Sequence, residues 1–281
     1  MNYTEAVDLY SGFAEPLLSF PVIVALLLVA LPAAAFVGFH LGNVEYRRRG
    51  YNKVPAEQVP GGTSLGAMLA LLGLLLGFAF SSALGWREAR QSTLVDEAMA
   101  ISTAFLTADL LDDPGRTELQ TRIVTYAQTR LATRDDIATR EAWTDFLSRT
   151  FAAQAEIWPA TRRAMDAEIS DPVRTAVARS VTDMLDAHTQ RIAAAAEQIP
   201  PPAKLMIVLV AVFAILIVGN RSALQGRPLT WRTFVFAAVL SVVMIVIYDL
   251  DRTLEGTMRV NPDTLRATIH DLETSLAVRG G

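Results

Sequence analysis

Residues able to do covalent or metal chemistry are sparse. Cysteine is absent, which removes disulfides, thiolate zinc sites, iron-sulfur clusters and cysteine nucleophiles together. The three histidines, His40, His188 and His270, belong to different segments, so no metal motif forms by spacing. His188 sits on an apolar stripe with Val177, Val181, Met184, Leu185 and Ile192 and reads as a packing residue. The acid pairs Asp96 with Glu97, Asp112 with Asp113, and Asp135 with Asp136 are adjacent. Adjacent side chains do not share a helical face, so these pairs make no catalytic dyad by spacing. Walker loops, dinucleotide fingerprints and nucleophile elbows are absent from the sequence. The reading is of a non-enzyme with no cofactor and no catalytic or metal-ligating residues.

One constellation remains. Gly66, Ala70, Gly73, Gly77, Ser81 and Gly85 recur at steps of four and three, and Ala89, Ser92 and Asp96 continue them. Those steps keep the residues on one helical face, where small side chains let backbones approach closely in lipid. Two uses stay open: packing within one bundle, or copies of the helix surrounding a conduit in a homo-oligomer. In the second, Ser81, Ser82, Arg87, Glu88, Arg90 and Asp96 stand at the mouth.

The elements that position this stripe follow from hydropathy. Hydrophobic residues make up 52% of the 281, charged residues 19%, and mean hydropathy is +0.31. Four apolar runs, Phe20 to Leu41, Leu65 to Leu84, Ala203 to Gly219 and Trp231 to Tyr248, are long enough to cross a hydrocarbon core of roughly 30 Å as helices. Lys204 and Arg232 are expected to snorkel toward headgroups. Pro32 is expected to kink the first run. No Asp, Glu, Lys, Arg or His lies at the middle of any run. Ion-coupled transporters and proton pumps need such a group there, whereas a low-field channel does not.

Between the second and third runs lies an insert, residues 85–203, with 18 acidic and 13 basic residues. One helix is expected to run from Leu65 to Leu111, a second through Leu119, Ile123, Tyr126 and Leu131, and a third from near Asp136 to Trp158, stopping before Pro159. A fourth follows the capping sequence Ser170, Asp171 and Pro172. Trp143, Phe146 and Phe151 read as core. After Pro262, Leu265, Ile269, Leu272 and Leu276 mark an amphipathic helix that must dock on the insert or a neighbouring chain. The fold class is therefore all-α: a polytopic membrane protein with four transmembrane helices and a long helical soluble insert between the second and third. The segments are 1–84, 85–203, 204–250 and 251–281.

Arg47, Arg48, Arg49 and Lys53 lie between the first two runs, and Arg221 and Arg227 between the last two. Basic short loops mark the cytoplasmic face of an inner membrane, which places the insert outside the cytoplasm. Nucleic acid is not an expected partner, because the basic triplet has no interleaved aromatics or long basic stripe.

The run GLLLGFAFSSALGWREARQSTLVDEAMAI from Gly73 and the run YDLDRTLEGTMRVNPDTL from Tyr248 resemble the bestrophin-like family of bacterial membrane proteins, which is distantly similar to the bestrophin anion channels. The resemblance covers the chain from the first span to the C-terminal helix. It aligns Arg87, Glu88, Asp96 and Glu97 with charged positions after the second helix, and Tyr248, Asp249, Asp251, Thr257 and Pro262 with a post-membrane motif. It implies an oligomer in which the second helix lines a pore for small anions, with Phe78 and Phe80 in the region of the apolar constriction. Bestrophins hold their helical region in the cytosol, opposite to the side inferred here from the basic loops. An acidic calcium-binding cluster is not recognisable. The competing reading is a non-conducting, membrane-anchored sensing or protein-interaction scaffold.

Overall fold

The structure, a computed structural model, describes residues 18–49, 62–133, 135–136, 139–166, 168–253 and 256–280. Among these residues all regular structure is helical. The helices are α1 (Phe20–Arg49), α2 (Gly62–Thr107), α3 (Gly115–Gln128), α4 (Arg140–Met165), α5 (Asp171–Ala196), α6 (Pro201–Leu224), α7 (Trp231–Asp251) and α8 (Asp263–Gly280), with a 3-10 turn at Ala108–Leu110. Four helical stretches are long and apolar enough to cross a membrane: Phe20–Arg48, Gly62–Leu110, Asp171–Leu224 and Trp231–Asp251. The chain divides into a membrane unit, residues 18–86 and 198–259, and an insert unit, residues 87–197 and 260–280. The long helix α2 contributes to each.

The membrane unit packs α1 against α6 and α7. Leu27, Leu31 and Ala35 meet Ala211, Ala214, Ile215, Ala237 and Met244, all fully or almost fully buried. Glycines make the α1–α6 seam. A Cβ on Gly38 would collide with the Leu216 carbonyl, one on Gly42 with the Asn220 carbonyl, and one on Gly219 with the Ala35 carbonyl. Gly38 and Gly42 form a GxxxG pair, a spacing that brings two helix backbones together where lipid supplies no hydrophobic drive. Ser241, also buried, donates to the Leu27 carbonyl at 3.0 Å and ties α7 to α1. Outward residues such as Val29, Phe36, Phe213, Val239 and Val242 are exposed and apolar, as lipid-facing positions require.

The charged ends of this unit differ from expectation. Arg47, Arg48 and Arg49 lie in the last turn of α1 rather than in a loop; Lys53 lies outside the described residues. Lys204 does not reach away from the bundle. Its Nζ pairs with Asp251 at 2.5 Å, and Asp251 also accepts from the Ile199 amide at 2.7 Å. The Asp251 carboxylate is buried, and Lys204 offsets part of the cost of holding that charge away from water. The pair fastens the start of α6 to the end of α7. Asp249 accepts from the Thr257 amide at 2.8 Å, closing a turn in which Gly256 has φ +99°, a backbone region that favours glycine.

The insert unit has its own core. Leu94, Ala98, Ile101 and Phe105 of α2 pack with Leu119, Ile123 and Tyr126 of α3, Ile157 and Ala160 of α4, Val177, Val181 and Met184 of α5, and Leu265, Ile269 and Leu272 of α8. The C-terminal helix thus docks on its own insert. Trp143 stacks on Phe146 with ring centroids 5.2 Å apart. Two boundaries differ from the sequence reading. Thr139 caps α4, accepting from the Ala142 amide at 3.1 Å, while Asp136 instead holds a loop by accepting from the Thr133 amide at 2.8 Å. The helix also continues through Pro159 to Met165. An interior proline costs about 3 kcal/mol, and burial of Ile157, Ala160, Thr161 and Ala164 on the core side offsets it.

Candidate functional site

In its apolar half α2 carries no formally charged side chain from Gly62 to Trp86. One face is open. Gly66, Ala70, Gly73, Gly77, Ser81 and Gly85 are all exposed, and a Cβ on Gly66, Gly73, Gly77 or Gly85 would meet nothing within 4 Å. The opposite face carries the buried Leu72, Ala79 and Ala83. The small stripe therefore packs on no described part of its own chain. Among the described residues of the bundle, the glycines pressed against another helix's backbone are those between α1 and α6.

The residues expected beside the stripe fall in different places. Phe78 is 64% exposed and Phe80 43%. Two positions apart on a helix, they project about 200° from each other, so only one of them can face a common axis. Glu88 is exposed and Arg87 half-buried. Asp96 is exposed and accepts from Ser92 Oγ at 3.3 Å. Arg90 is buried and its Nη2 donates to the Glu197 carbonyl at 3.4 Å, within the insert unit.

Further along α2 the exposed Asp96 is followed by a fully buried Glu97. The Glu97 carboxylate is the centre of a polar network. Arg130 Nε donates to Oε1 at 2.7 Å and Arg191 Nη1 to Oε2 at 2.5 Å. The Tyr126 hydroxyl donates to Oε1 at 2.9 Å and lies 3.0 Å from His188 Nδ1. His188 Nε2 is buried and has no hydrogen-bond partner among the described residues. Burial alone would raise the Glu97 carboxyl, but Arg130, the His188 contact and Arg191 together hold it well below the usual carboxylate range. Burial pushes the Tyr126 phenol up and the His188 imidazole down. Groups of three or more His, Asp or Glu side chains able to hold a metal are absent among the described residues.

With four spanning helices, a separate helical insert and this arrangement of α2 established, the comparisons decide the family. The bestrophin-like domain matches residues 22–265. The chain belongs to the bestrophin-like family. Its fold is that of a bacterial bestrophin homolog from Klebsiella pneumoniae. One point variant of that protein superposes with a TM-score of 0.63 at 12% identity, covering 90% of this chain and 96% of the other. A second variant gives 0.62 at 12% identity over 91% and 99%, and a structure phased with zinc gives 0.61 at 13% over 88% and 96%. Comparison with curated proteins gives no match. This bestrophin-like chain is a multi-pass membrane protein.

The spacing of the bestrophin-like sequence pointed to α2 but not to the Glu97 network. Tyr126 and His188 read as members of apolar stripes, and nothing in the spacing singles out Arg130 or Arg191. A buried acid surrounded by three donors from distant segments has no local signature. The one trace was the Asp96–Glu97 pair itself, one acid on each face of a helix.

Proposed function

We propose that the protein assembles as a homo-oligomer in which copies of α2 surround a conduit for small anions across the inner membrane. The observation that supports this reading is the open glycine-rich face of α2, from Gly66 to Gly85, uncharged and uncovered by the described residues of its own chain. Such a face buries its backbone against another copy or against water and ions, and lipid tails alone do not require it to be small. An uncharged passage with serine hydroxyls at Ser81 and Ser82 gives weak binding, which conduction needs. Gly73, Gly77, Ser81 and Gly85 line the passage, one of Phe78 and Phe80 narrows it, and Glu88 and Asp96 lie along the exposed continuation of the helix.

The test is chloride efflux from liposomes containing the assembled protein. Selective, saturable efflux supports the conduit, and tight vesicles overturn it. The independent core of the insert unit favours a second reading, a membrane-anchored docking scaffold. Loss of a specific partner on deleting residues 115–198, with vesicles tight throughout, would support the scaffold.

A further inference from the structure

The Glu97 network lies on α2, the helix whose apolar half is read above as the conduit wall, and it is built so that one added proton has nowhere to go. Glu97, Arg130 and Arg191 bring one negative and two positive charges into a buried site. His188 joins them through Tyr126, 3.0 Å away. In one tautomer Nδ1–H donates to the Tyr126 hydroxyl oxygen, that hydroxyl donates to Glu97, and Nε2 is bare. A proton on Nε2 then creates a buried N–H with no acceptor among the described residues. In the other tautomer Nε2–H already lacks an acceptor and Nδ1 accepts from Tyr126. A proton on Nδ1 then turns that bond round, with Nδ1–H donating to the hydroxyl and the hydroxyl to Glu97, and leaves a buried cation whose Nε2–H still has no acceptor among the described residues.

Of the charged groups facing His188, Glu97 alone favours the added charge. Glu97 from α2 is 3.7 Å from Nδ1 but is already matched by two guanidiniums and a hydroxyl. Arg130, just beyond α3, and Arg191, on α5, repel an imidazolium. From α4 the neighbour is the ring of Phe151, edge-on at 6.0 Å between centroids. Parting α5 from α2 and α3 would give the charged ring water.

We propose that His188 is a proton sensor whose protonation loosens the grip of the insert unit on α2 at Glu97, and so regulates the conduit by pH. The regulatory half rests on the conduit reading; the loosening does not. The sign follows from the burial of His188, which lowers its proton affinity below the ordinary value of 6.5. The grip is full above pH 6.5 and is lost as pH falls through the folded-state value.

The experiment is hydrogen exchange of the full chain in liposomes at about pH 7.5 and about pH 5, with chloride efflux measured in parallel, for the wild type and His188→Gln. Glutamine keeps a donor and an acceptor without titrating. Protection of the amides of residues 94–101 is expected to fall about tenfold in the wild type for each unit by which the proton affinity is depressed, and to stay level in His188→Gln. Efflux is expected to change with pH in the wild type alone. Equal pH responses in both proteins, or none in the wild type, overturn the sensor. Exchange that responds while efflux is constant overturns the regulation. Exchange that responds in vesicles passing no chloride at either pH upholds the sensor and overturns the conduit. Should His188→Gln not assemble, wild-type exchange against pH decides: protection that begins to fall between pH 6.5 and 4.5 supports His188, and protection that stays level down to 4.5, the ordinary carboxyl value of Glu97, overturns it.

Discussion

Glu97 and Arg130 are 33 residues apart in sequence and 2.7 Å apart in the fold, both almost completely buried. The pair joins α2 to the segment after α3. A buried ion pair adds little net stability over apolar residues, but removing one partner leaves a desolvated charge behind. Arg130→Leu is therefore expected to destabilise the insert unit by about 3 kcal/mol. Urea unfolding followed through the insert tryptophans checks this, and a change within 0.5 kcal/mol would contradict the burial of the pair.

The Glu97 carboxyl is held below its ordinary value of 4.5. Its stabilising contribution is thus present above pH 4.5 and is lost as pH falls through the folded-state value. Measured in His188→Gln, which removes the window below pH 6.5, the thermal midpoint is expected to be level from about pH 6 to 5 and to fall below about pH 4.5. Adding Glu97→Gln should lower the midpoint at neutral pH and flatten the acid limb. A fall of equal steepness with and without Glu97 would place the acid sensitivity elsewhere.

Gly219 and Gly77 give opposite expectations for the same kind of change. A Cβ on Gly219 collides with the Ala35 carbonyl, whereas one on Gly77 meets nothing within 4 Å among the described residues. Gly219→Ala is expected to cost roughly 1–3 kcal/mol through forced separation of α1 and α6. Gly77→Ala should leave the fold of the single chain unchanged. Thermal midpoints in detergent distinguish the two, and equal losses would contradict the assignment of the bundle seam to α1 and α6.

The four spans and the helical insert were legible in the sequence because length and hydropathy set them: a stretch such as Trp231 to Tyr248 has few other stable forms. The exposed stripe on α2 was legible for the same reason, since the periodicity of glycine survives whatever covers it. The seam between α1 and α6 was not read, although Gly38 and Gly42 are spaced as Gly73 and Gly77 are. Sequence spacing shows that a face is small but not what it meets. Pro159 reads as a stop because local rules weigh one lost hydrogen bond without the core on the other side of the helix. Lys204 reads as a snorkelling residue because its partner, Asp251, is 47 residues away and the pair forms only when α6 and α7 are adjacent. The Glu97 network failed to show for that reason too: its five side chains come from α2, α5, α3 and the turn beyond α3.

The basic residues at the end of α1 and around the turn from α6 to α7 predict that the insert unit lies outside the cytoplasm. Protease added to right-side-out vesicles is then expected to cleave within residues 115–198, and inside-out vesicles should protect them. Cleavage only in inside-out vesicles would reverse the orientation.

The central claim is that the open face of α2 borders a conduit between copies of the chain. Chloride efflux from liposomes holding the wild type or Gly77→Leu tests it most directly, with oligomeric state measured on the same samples. Saturable, chloride-selective efflux in the wild type, abolished in Gly77→Leu as the added side chain fills the shared space, is the expected result. Vesicles that hold assembled wild-type protein and remain impermeable, or efflux unaffected by leucine at position 77, would contradict it.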